Sequence, residues 1–324
     1  MMFSIILSLF LIFLPQVADS PTGVNFDWLS GERDQAVEEG KTAENGQDNF
    51  FGAALPRANP QPPQKKESSK SLGIETTARA ALIFDKASGT ILFDKNSRDK
   101  ISLASLTKLM TALVVLDEKP EWEKTIKLAH ADNRDGGIVY ARPPEEVMVK
   151  DLFEMTLVGS VNNAAAAMAR STGLTEEAFV AKMNNKAKEI GMNNTVFADP
   201  TGLLPENQST ARDVARLLAN ALDHEEIKEA VVKKTYVFSP QKSSKVYYVK
   251  STNELLWSFL NEEPYTFIGG KTGYIEESGY NLAVEAERNG HKVVIVVLGS
   301  STAEERFKEI KGLADWVFEN YIWQ

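Results

Sequence analysis

Three short motifs, well separated along the 324-residue chain, carry hydroxyl, amine and amide side chains at spacings that suit acyl transfer. A serine hydroxyl becomes a nucleophile when a neighbouring base removes its proton, and a neutral lysine amine is one such base. An S-x-x-K pair alone is common by chance, but the ordered set S-x-x-K, S-x-N and K-T-G indicates an acyl-serine intermediate. The three motifs are Ser105-Leu106-Thr107-Lys108, Ser160-Val161-Asn162 and Lys271-Thr272-Gly273.

Ser105 is the predicted nucleophile and Lys108 is its predicted base. A helix is predicted from Ser105 to about Glu118, and residues i and i+3 share a helix face, so the amine can point back to the hydroxyl. The N–H of Ser105 at the helix start is a candidate oxyanion donor. Burial and the second cation of Lys271 would keep Lys108 neutral. The alternative is that Ser105 only caps the helix and Lys108 is solvated.

Ser160 and Asn162 lie where a predicted helix over 149–158 gives way to another over 162–171. From a turn at this point both side chains could reach a cleft. The hydroxyl of Ser160 is predicted to relay a proton between Lys108 and the leaving amine. The NH₂ group of Asn162 is predicted to hold a substrate carbonyl. Helix capping by both residues is the alternative.

The third motif lies in a segment with strand-like composition. Lys271 and Thr272 offer a cation and a hydroxyl to a substrate carboxylate. Gly273 is expected to let an extended peptide lie close to the strand. The backbone N–H of Tyr274 is the predicted second oxyanion donor. A flexible glycine hairpin is the alternative.

The segments that must position these motifs have strand patterns at both ends and helix patterns between them. This order predicts an α+β domain whose antiparallel sheet is flanked by helices and assembled from the N- and C-terminal parts. Asn289-Gly290 predicts a type I′ hairpin turn. The predicted strands cover 80–85, 90–94, 235–238, 246–249, 267–274, 281–288 and 292–298, and the predicted helices cover 105–118, 149–158, 162–171, 176–190, 211–221 and 303–321.

Composition argues against several other functions. The net charge of −9 argues against a nucleic-acid partner, because phosphate binding needs a concentrated basic surface. The absence of cysteine excludes disulfides, thiolate metal sites and a cysteine nucleophile. His130, His224 and His291 lie far apart, outside zinc-peptidase spacing, and their local sequence does not suggest a Ser-His-Asp triad. No metal or organic cofactor is implied.

The composition of the N-terminal region is typical of a targeting segment. Residues 1–20 begin with an apolar run that ends at Leu14, which predicts a signal peptide and export to a periplasmic or extracytoplasmic location. Retention as an N-terminal membrane anchor is the alternative. Residues 21–75 are polar and proline-containing, which predicts a disordered linker. The catalytic domain is then expected over 76–324.

Further segments add to the three motifs: Met183-Asn184-Asn185-Lys186-Ala187, Gly191-Met192-Asn193-Asn194-Thr195, Pro200-Thr201-Gly202-Leu203 and Ser209-Thr210-Ala211-Arg212-Asp213. With them, residues 76–322 resemble the low-molecular-weight penicillin-binding proteins, the serine D-alanyl-D-alanine carboxypeptidase family. The resemblance implies a β-lactamase/transpeptidase-like fold, removal of the terminal D-alanine from peptidoglycan stem peptides, and covalent inhibition by β-lactam antibiotics. It also implies that Arg306, ten residues before Trp316, holds the substrate's terminal carboxylate.

The sequence departs from the family pattern at two places. Asn163 stands where the family usually has an aspartate, which is a mild change. The chain ends at Gln324, so the β-rich second domain and C-terminal amphipathic anchor of many members are expected to be absent. Any membrane attachment is therefore expected to use the N-terminal segment.

Three alternatives to a carboxypeptidase remain open on the sequence. A DD-endopeptidase that cleaves peptidoglycan crosslinks would use the same groups. A β-lactamase would need a carboxylate that activates water, and Glu189 with Asn193 has the Glu-x-x-x-Asn spacing. A non-catalytic peptidoglycan-binding module would keep the cleft and lose one catalytic group.

Overall fold

The computed structural model describes residues 61–324, so the predicted signal peptide or anchor and the predicted linker as far as residue 60 lie outside the described residues. Within the described part, no helix combines the length and the hydropathy needed to cross a bilayer. The strands are β1 (Gln64–Lys65), β2 (Ala80–Asp85), β3 (Ile91–Lys95), β4 (Ile101–Ser102), β5 (Thr125–Lys127), β6 (Glu146–Met148), β7 (Gln208–Ser209), β8 (Thr235–Phe238), β9 (Tyr247–Lys250), β10 (Tyr265–Ile275), β11 (Gly279–Arg288), β12 (His291–Ser300) and β13 (Tyr321–Ile322). The helices are α1 (Thr107–Asp117), α2 (Val149–Val158), α3 (Asn162–Ser171), α4 (Glu176–Glu189), α5 (Ala211–Ala221), α6 (Glu225–Val231) and α7 (Ala303–Asn320).

The main sheet has five antiparallel strands in the order β10-β11-β12-β2-β3. Its N- and C-terminal parts join where β12 pairs with β2, with Val296 opposite Leu82. Asn289 and Gly290 connect β11 to β12 with φ angles of 54° and 81°, as a type I′ turn requires. The predicted α+β class, with an antiparallel sheet flanked by helices, is confirmed. Because β10 is an edge strand, one of its sides is free of sheet pairing.

Each face of the sheet packs against a different set of helices. Successive side chains of a strand point to opposite faces, and β12 follows this rule. Its Val294 and Val296 join the core shared with α1 and α5, whereas Ile295 and Val297 join the core under α7. The sheet is therefore buried on both faces, and β10 is held between the helical layer and α7.

The helix α1 lies in the interior of the helical layer. Residues 107–115 are all buried, and α1 contacts α2, α3, α4 and α5. A helix that is buried all round needs apolar side chains in nearly every position. Lys108 is the charged residue among the buried positions of α1, and this position places its amine away from solvent.

The sequence predicts that the catalytic domain starts at residue 76, but residues before this position also contact the fold. Residues 61–75 pack along the end of α7: β1 pairs with β13, the N–H of Lys66 donates to the carbonyl of Asn320 at 2.8 Å, and Trp316 Nε1 donates to Ser71 Oγ at 2.8 Å. This segment is held by hydrogen bonds more than by apolar burial. Because its composition is polar, the sequence predicted a linker here.

Candidate active site

Ser105 lies in a 3-10 turn, Ala104–Leu106, that leads into α1. Two glycines allow the surrounding backbone to approach this turn. A Cβ on Gly202 would lie 1.9 Å from the carbonyl oxygen of Ala104, and a Cβ on Gly273 would lie 2.8 Å from that of Leu103. Ala104 itself has a φ of 48°, an uncommon conformation for a residue with a side chain. The hydroxyl of Ser105 is thus presented from a tightly fixed turn.

The amine of Lys108 is completely buried and makes three short contacts. Its Nζ lies 2.8 Å from Ser105 Oγ, 2.8 Å from Asn162 Oδ1 and 2.7 Å from the carbonyl oxygen of Thr201. The amide and peptide oxygens can only accept hydrogen bonds. A neutral amine has two protons for these two acceptors, which leaves its lone pair directed at the hydroxyl of Ser105.

Burial lowers the pKa of Lys108 to about 7, and the carboxylate of Asp199 opposes that shift. Desolvation disfavours a charged amine because no water remains to solvate it. A substantial fraction of Lys108 is therefore neutral near pH 7, as a general base must be. Asp199 also shapes the loop beside the amine, since its carboxylate accepts hydrogen bonds from the backbone of Thr201 at 2.6 Å and of Leu204 at 2.8 Å.

Asn162 uses both ends of its amide for contacts within the protein. Its Nδ2 donates to the carbonyl of Gly136 at 3.0 Å, while its Oδ1 accepts from Lys108. These partners also fix the orientation of the amide. The NH₂ group also contacts the loop around Gly136, and its contact with a substrate carbonyl stays a prediction. Asn162 therefore positions the base and the cleft wall in this structure.

The hydroxyl of Ser160 pairs with Lys271, not with Lys108 as the predicted relay required. Lys271 Nζ lies 2.8 Å from Ser160 Oγ and 3.0 Å from the carbonyl oxygen of Thr272. Ser160 has a φ of 57° and lies in the predicted turn before α3. Burial, together with the charges of Lys108 and Arg306, lowers the pKa of Lys271. The site thus contains two amine–hydroxyl pairs.

The strand β10 carries the third motif along the cleft. Gly273 has a structural role at the serine turn, because an added Cβ there would approach Leu103 and Ser105 N, at 3.2 Å from the latter. The glycine therefore admits the serine turn, and this packing brings β10 next to the N–H of Ser105. Thr272 Oγ1 lies 2.6 Å from Thr252 Oγ1.

Arg306 reaches the cleft from α7. Its Nη1 donates to the carbonyl of Gly273 at 3.1 Å, and within the described residues its Nε is buried with no hydrogen-bond partner. Burial lowers its pKa, but arginine remains charged at neutral pH. Next to it, Tyr274 is half-exposed and stacks on Tyr280 at a centroid distance of 4.3 Å.

The cleft has a volume of about 480 Å³. Lys108 and Lys271 lie beneath its floor, hydrogen-bonded to the two hydroxyls. Sequence reasoning missed the wall formed by Gly136, Gly137 and Ile138, and it missed Thr252. The remaining seven predicted site residues all line the cleft: Ser105, Ser160, Asn162, Thr272, Gly273, Tyr274 and Arg306.

The spacing of Glu189 and Asn193 brings no carboxylate to the cleft. Glu189 ends α4 at the surface, where it forms an ion pair with Lys186 at 2.9 Å. Neither Glu189 nor Asn193 is among the residues that line the cleft. The β-lactamase alternative depended on a water-activating carboxylate from this Glu-x-x-x-Asn spacing, and the structure does not place that carboxylate at the cleft.

An antiparallel sheet with helices on both faces and a serine–lysine pair beside its edge strand defines the penicillin-binding class of fold. The sequence family described as D-alanyl-D-alanine carboxypeptidase matches residues 64–302, and the chain belongs to that family. The predicted family resemblance is confirmed.

Two curated relatives bear different activity names. The chain is 31% identical to the D-alanyl-D-alanine carboxypeptidase DacF of Bacillus subtilis over 79% of this chain and 66% of that protein. It is 31% identical to a D-alanyl-D-alanine endopeptidase of Pseudomonas aeruginosa over 75% of this chain and 78% of that protein. The chain thus spans slightly less than two thirds of the DacF relative's length.

A solved structure shares the fold. Penicillin-binding protein D2 from Listeria monocytogenes, in its cefotaxime-bound form, is 31% identical with a TM-score of 0.67. The similarity covers 76% of this chain and all of that one. The predicted fold class is confirmed by this likeness.

Proposed function

We propose that this protein is a serine D-alanyl-D-alanine carboxypeptidase that removes the terminal D-alanine from peptidoglycan stem peptides. The observation that carries the proposal is the set of three contacts at Lys108 Nζ, which leaves a neutral amine aimed at Ser105 Oγ. Family membership supports the same activity.

The acylation step begins when Lys108 takes the proton of Ser105 while Oγ attacks the carbonyl carbon of the penultimate D-alanine. The backbone N–H groups of Ser105 and Tyr274 are assigned to the oxyanion that develops on the carbonyl oxygen. These donors are already fixed, because β10 packs against the serine turn through Gly273. Little reorganisation is then needed when charge appears.

The leaving D-alanine must gain a proton as its C–N bond breaks. The Lys271–Ser160 pair is assigned to this transfer, since a hydroxyl held at 2.8 Å from an amine can both donate and accept. Thr272 and Arg306 are assigned to the terminal carboxylate. Water then hydrolyses the acyl-serine ester and releases the shortened peptide.

Two further properties belong to this proposal. A β-lactam would acylate Ser105 in place of the peptide and inhibit the enzyme. The substrate lies outside the cytoplasmic membrane, so the proposal also includes export directed by residues 1–20, with linker 21–60 between that segment and the described part of the chain.

Product analysis on two substrates tests the proposed activity. A stem pentapeptide ending in D-Ala-D-Ala should yield free D-alanine and a tetrapeptide. An enzyme restricted to cleaving a crosslinked stem-peptide dimer, with no D-alanine released from the pentapeptide, would be a DD-endopeptidase. Binding of both peptides with no product from either would indicate a peptidoglycan-binding module.

A further inference from the structure

Thr252 joins the third motif to the second, although it belongs to neither. Its hydroxyl oxygen lies 2.6 Å from that of Thr272 on β10. Its backbone N–H donates to the carbonyl of Val158, the last residue of α2, at 3.2 Å. Thr252 is therefore held between the edge strand of the main sheet and the helix that leads to Ser160.

The strand β9, which ends two residues before Thr252, packs closely on the turn that carries Ser160. A Cβ on Gly159 would lie 2.4 Å from Val249 Cγ1, so the backbone before Ser160 lies directly against this strand. The strands β8 and β9 form their own two-stranded sheet, apart from the main sheet. The two threonine hydroxyls therefore connect this hairpin to β10 by a side-chain contact.

The direction of the hydrogen bond between the two hydroxyls depends on what Thr272 binds. Either hydroxyl can donate, because each has one proton and two lone pairs. A carboxylate only accepts hydrogen bonds. When a substrate carboxylate takes the proton of Thr272, the proton between the two threonines must come from Thr252. A hydroxyl that accepts one hydrogen bond also donates a stronger one, because the two bonds polarise each other.

We propose that Thr252 is a positioning residue that directs the hydroxyl proton of Thr272 to the terminal carboxylate of the substrate. This rests on the proposed function, because it takes Thr272 to bind that carboxylate. Both threonines line the cleft. Thr272 is 4% exposed and Thr252 is half-buried, so little water competes for the hydrogen bond between them. Without a hydroxyl at position 252, the proton of Thr272 would lose its alignment.

Acylation by benzylpenicillin and by its methyl ester tests this role, because the two probes differ only at the carboxylate. Thr252→Val keeps the branched shape of the side chain and removes the hydroxyl. It should lower the second-order rate constant of acylation by the free carboxylate about 10-fold, the effect of losing one hydrogen bond. The rate constant for the ester should change far less. Thr252→Ala should show the same difference between the probes, and Thr252→Ser should restore most of the rate.

A double-mutant cycle with Thr272→Val shows whether Thr252 acts through Thr272. If it does, Thr252→Val/Thr272→Val should react with the free carboxylate no more slowly than Thr272→Val alone. Thr235→Val is the matched control, because Thr235 is exposed on β8 and lies outside the cleft. The control should leave the rate constants for both probes unchanged.

The outcomes separate this inference from the proposed function. Equal slowing with both probes would overturn it and make Thr252 only a support for the turn at Ser160. An unchanged rate in Thr252→Val, or additive losses in the double variant, would overturn it as well. The proposed function is tested separately, by the release of D-alanine from a pentapeptide. If the wild type is acylated but releases no D-alanine, that function fails, while the acylation rates still decide the role of Thr252.

Discussion

The Nζ atom of Lys108 lies 2.8 Å from the Oδ1 atom of Asn162, so the amide of the second motif holds the amine of the first. An amide oxygen at this position accepts a hydrogen bond from the amine without adding a full negative charge beside it. The amine can therefore lose its third proton near neutral pH and still keep its position.

The first prediction concerns the pH dependence of acylation. Because Lys108 must be neutral and its pKa is about 7, the rate of acylation by a β-lactam should rise about tenfold per pH unit below that value and level off above it. Asn162→Asp would place a carboxylate against the amine and raise its pKa, so the midpoint should move to higher pH. Stopped-flow acylation measured from pH 5 to 9 checks both, and an unchanged midpoint in the variant would contradict the assignment of the base.

Asp199→Asn should move the same midpoint in the opposite direction. The carboxylate of Asp199 raises the pKa of Lys108, so removing its charge should lower that pKa and shift the midpoint to lower pH. The variant also loses an acceptor for the N–H of Leu204, and the loss of one such hydrogen bond costs about 0.5–1.5 kcal/mol of unfolding free energy. A stability loss with no change in the pH profile would mean that Asp199 acts only on the fold.

Gly273→Ala tests the close packing of β10 on the serine turn. A Cβ 2.8 Å from the Leu103 carbonyl oxygen must displace the turn, and a small misplacement of a nucleophile can slow the reaction by on the order of 10²-fold. Gly312→Ala on α7 is the control, because its Cβ would meet the flexible end of Ile74. Comparable acylation rates in the two variants would show that the turn tolerates the displacement.

Arg306→Ala tests how the chain end of the substrate is recognised. A guanidinium can bind a carboxylate through two parallel hydrogen bonds, so kcat/KM for a free-acid peptide should fall by about 10- to 100-fold. The same peptide with an amidated C-terminus should be affected far less. Lys308→Ala, an exposed position on α7, serves as the control. Equal slowing of both peptides would assign Arg306 to supporting β10 through Gly273.

The sequence was sufficient to predict the elements of the main sheet and the groups at its edge. Periodicity and the Asn289-Gly290 turn are local signals, and the spacing of Ser105 and Lys108 on one helix face is local too. The role of Asn162 depends on a carbonyl 26 residues earlier in the chain, at Gly136. A short motif does not reveal contacts between residues that lie far apart in the chain.

The same limit explains the other differences. Thr252 has no motif of its own and enters the site only because β10 brings Thr272 beside it. The packing of residues 61–75 on α7 uses backbone hydrogen bonds, which composition does not reveal. The packing of Gly273 against the serine turn was not predicted, because a sequence does not show which neighbour occupies the space of a missing side chain.

The identity of the acylated residue is the most direct test of the account. Incubation with a β-lactam, followed by proteolysis and mass spectrometry, should place the mass of the drug on the peptide that contains Ser105. Ser105→Ala should remain folded, since Ser105 lines the cleft and is only partly buried, and should carry no adduct. Stoichiometric labelling that persists in Ser105→Ala, or that maps to Ser160, would contradict the assignment of Ser105 as the nucleophile.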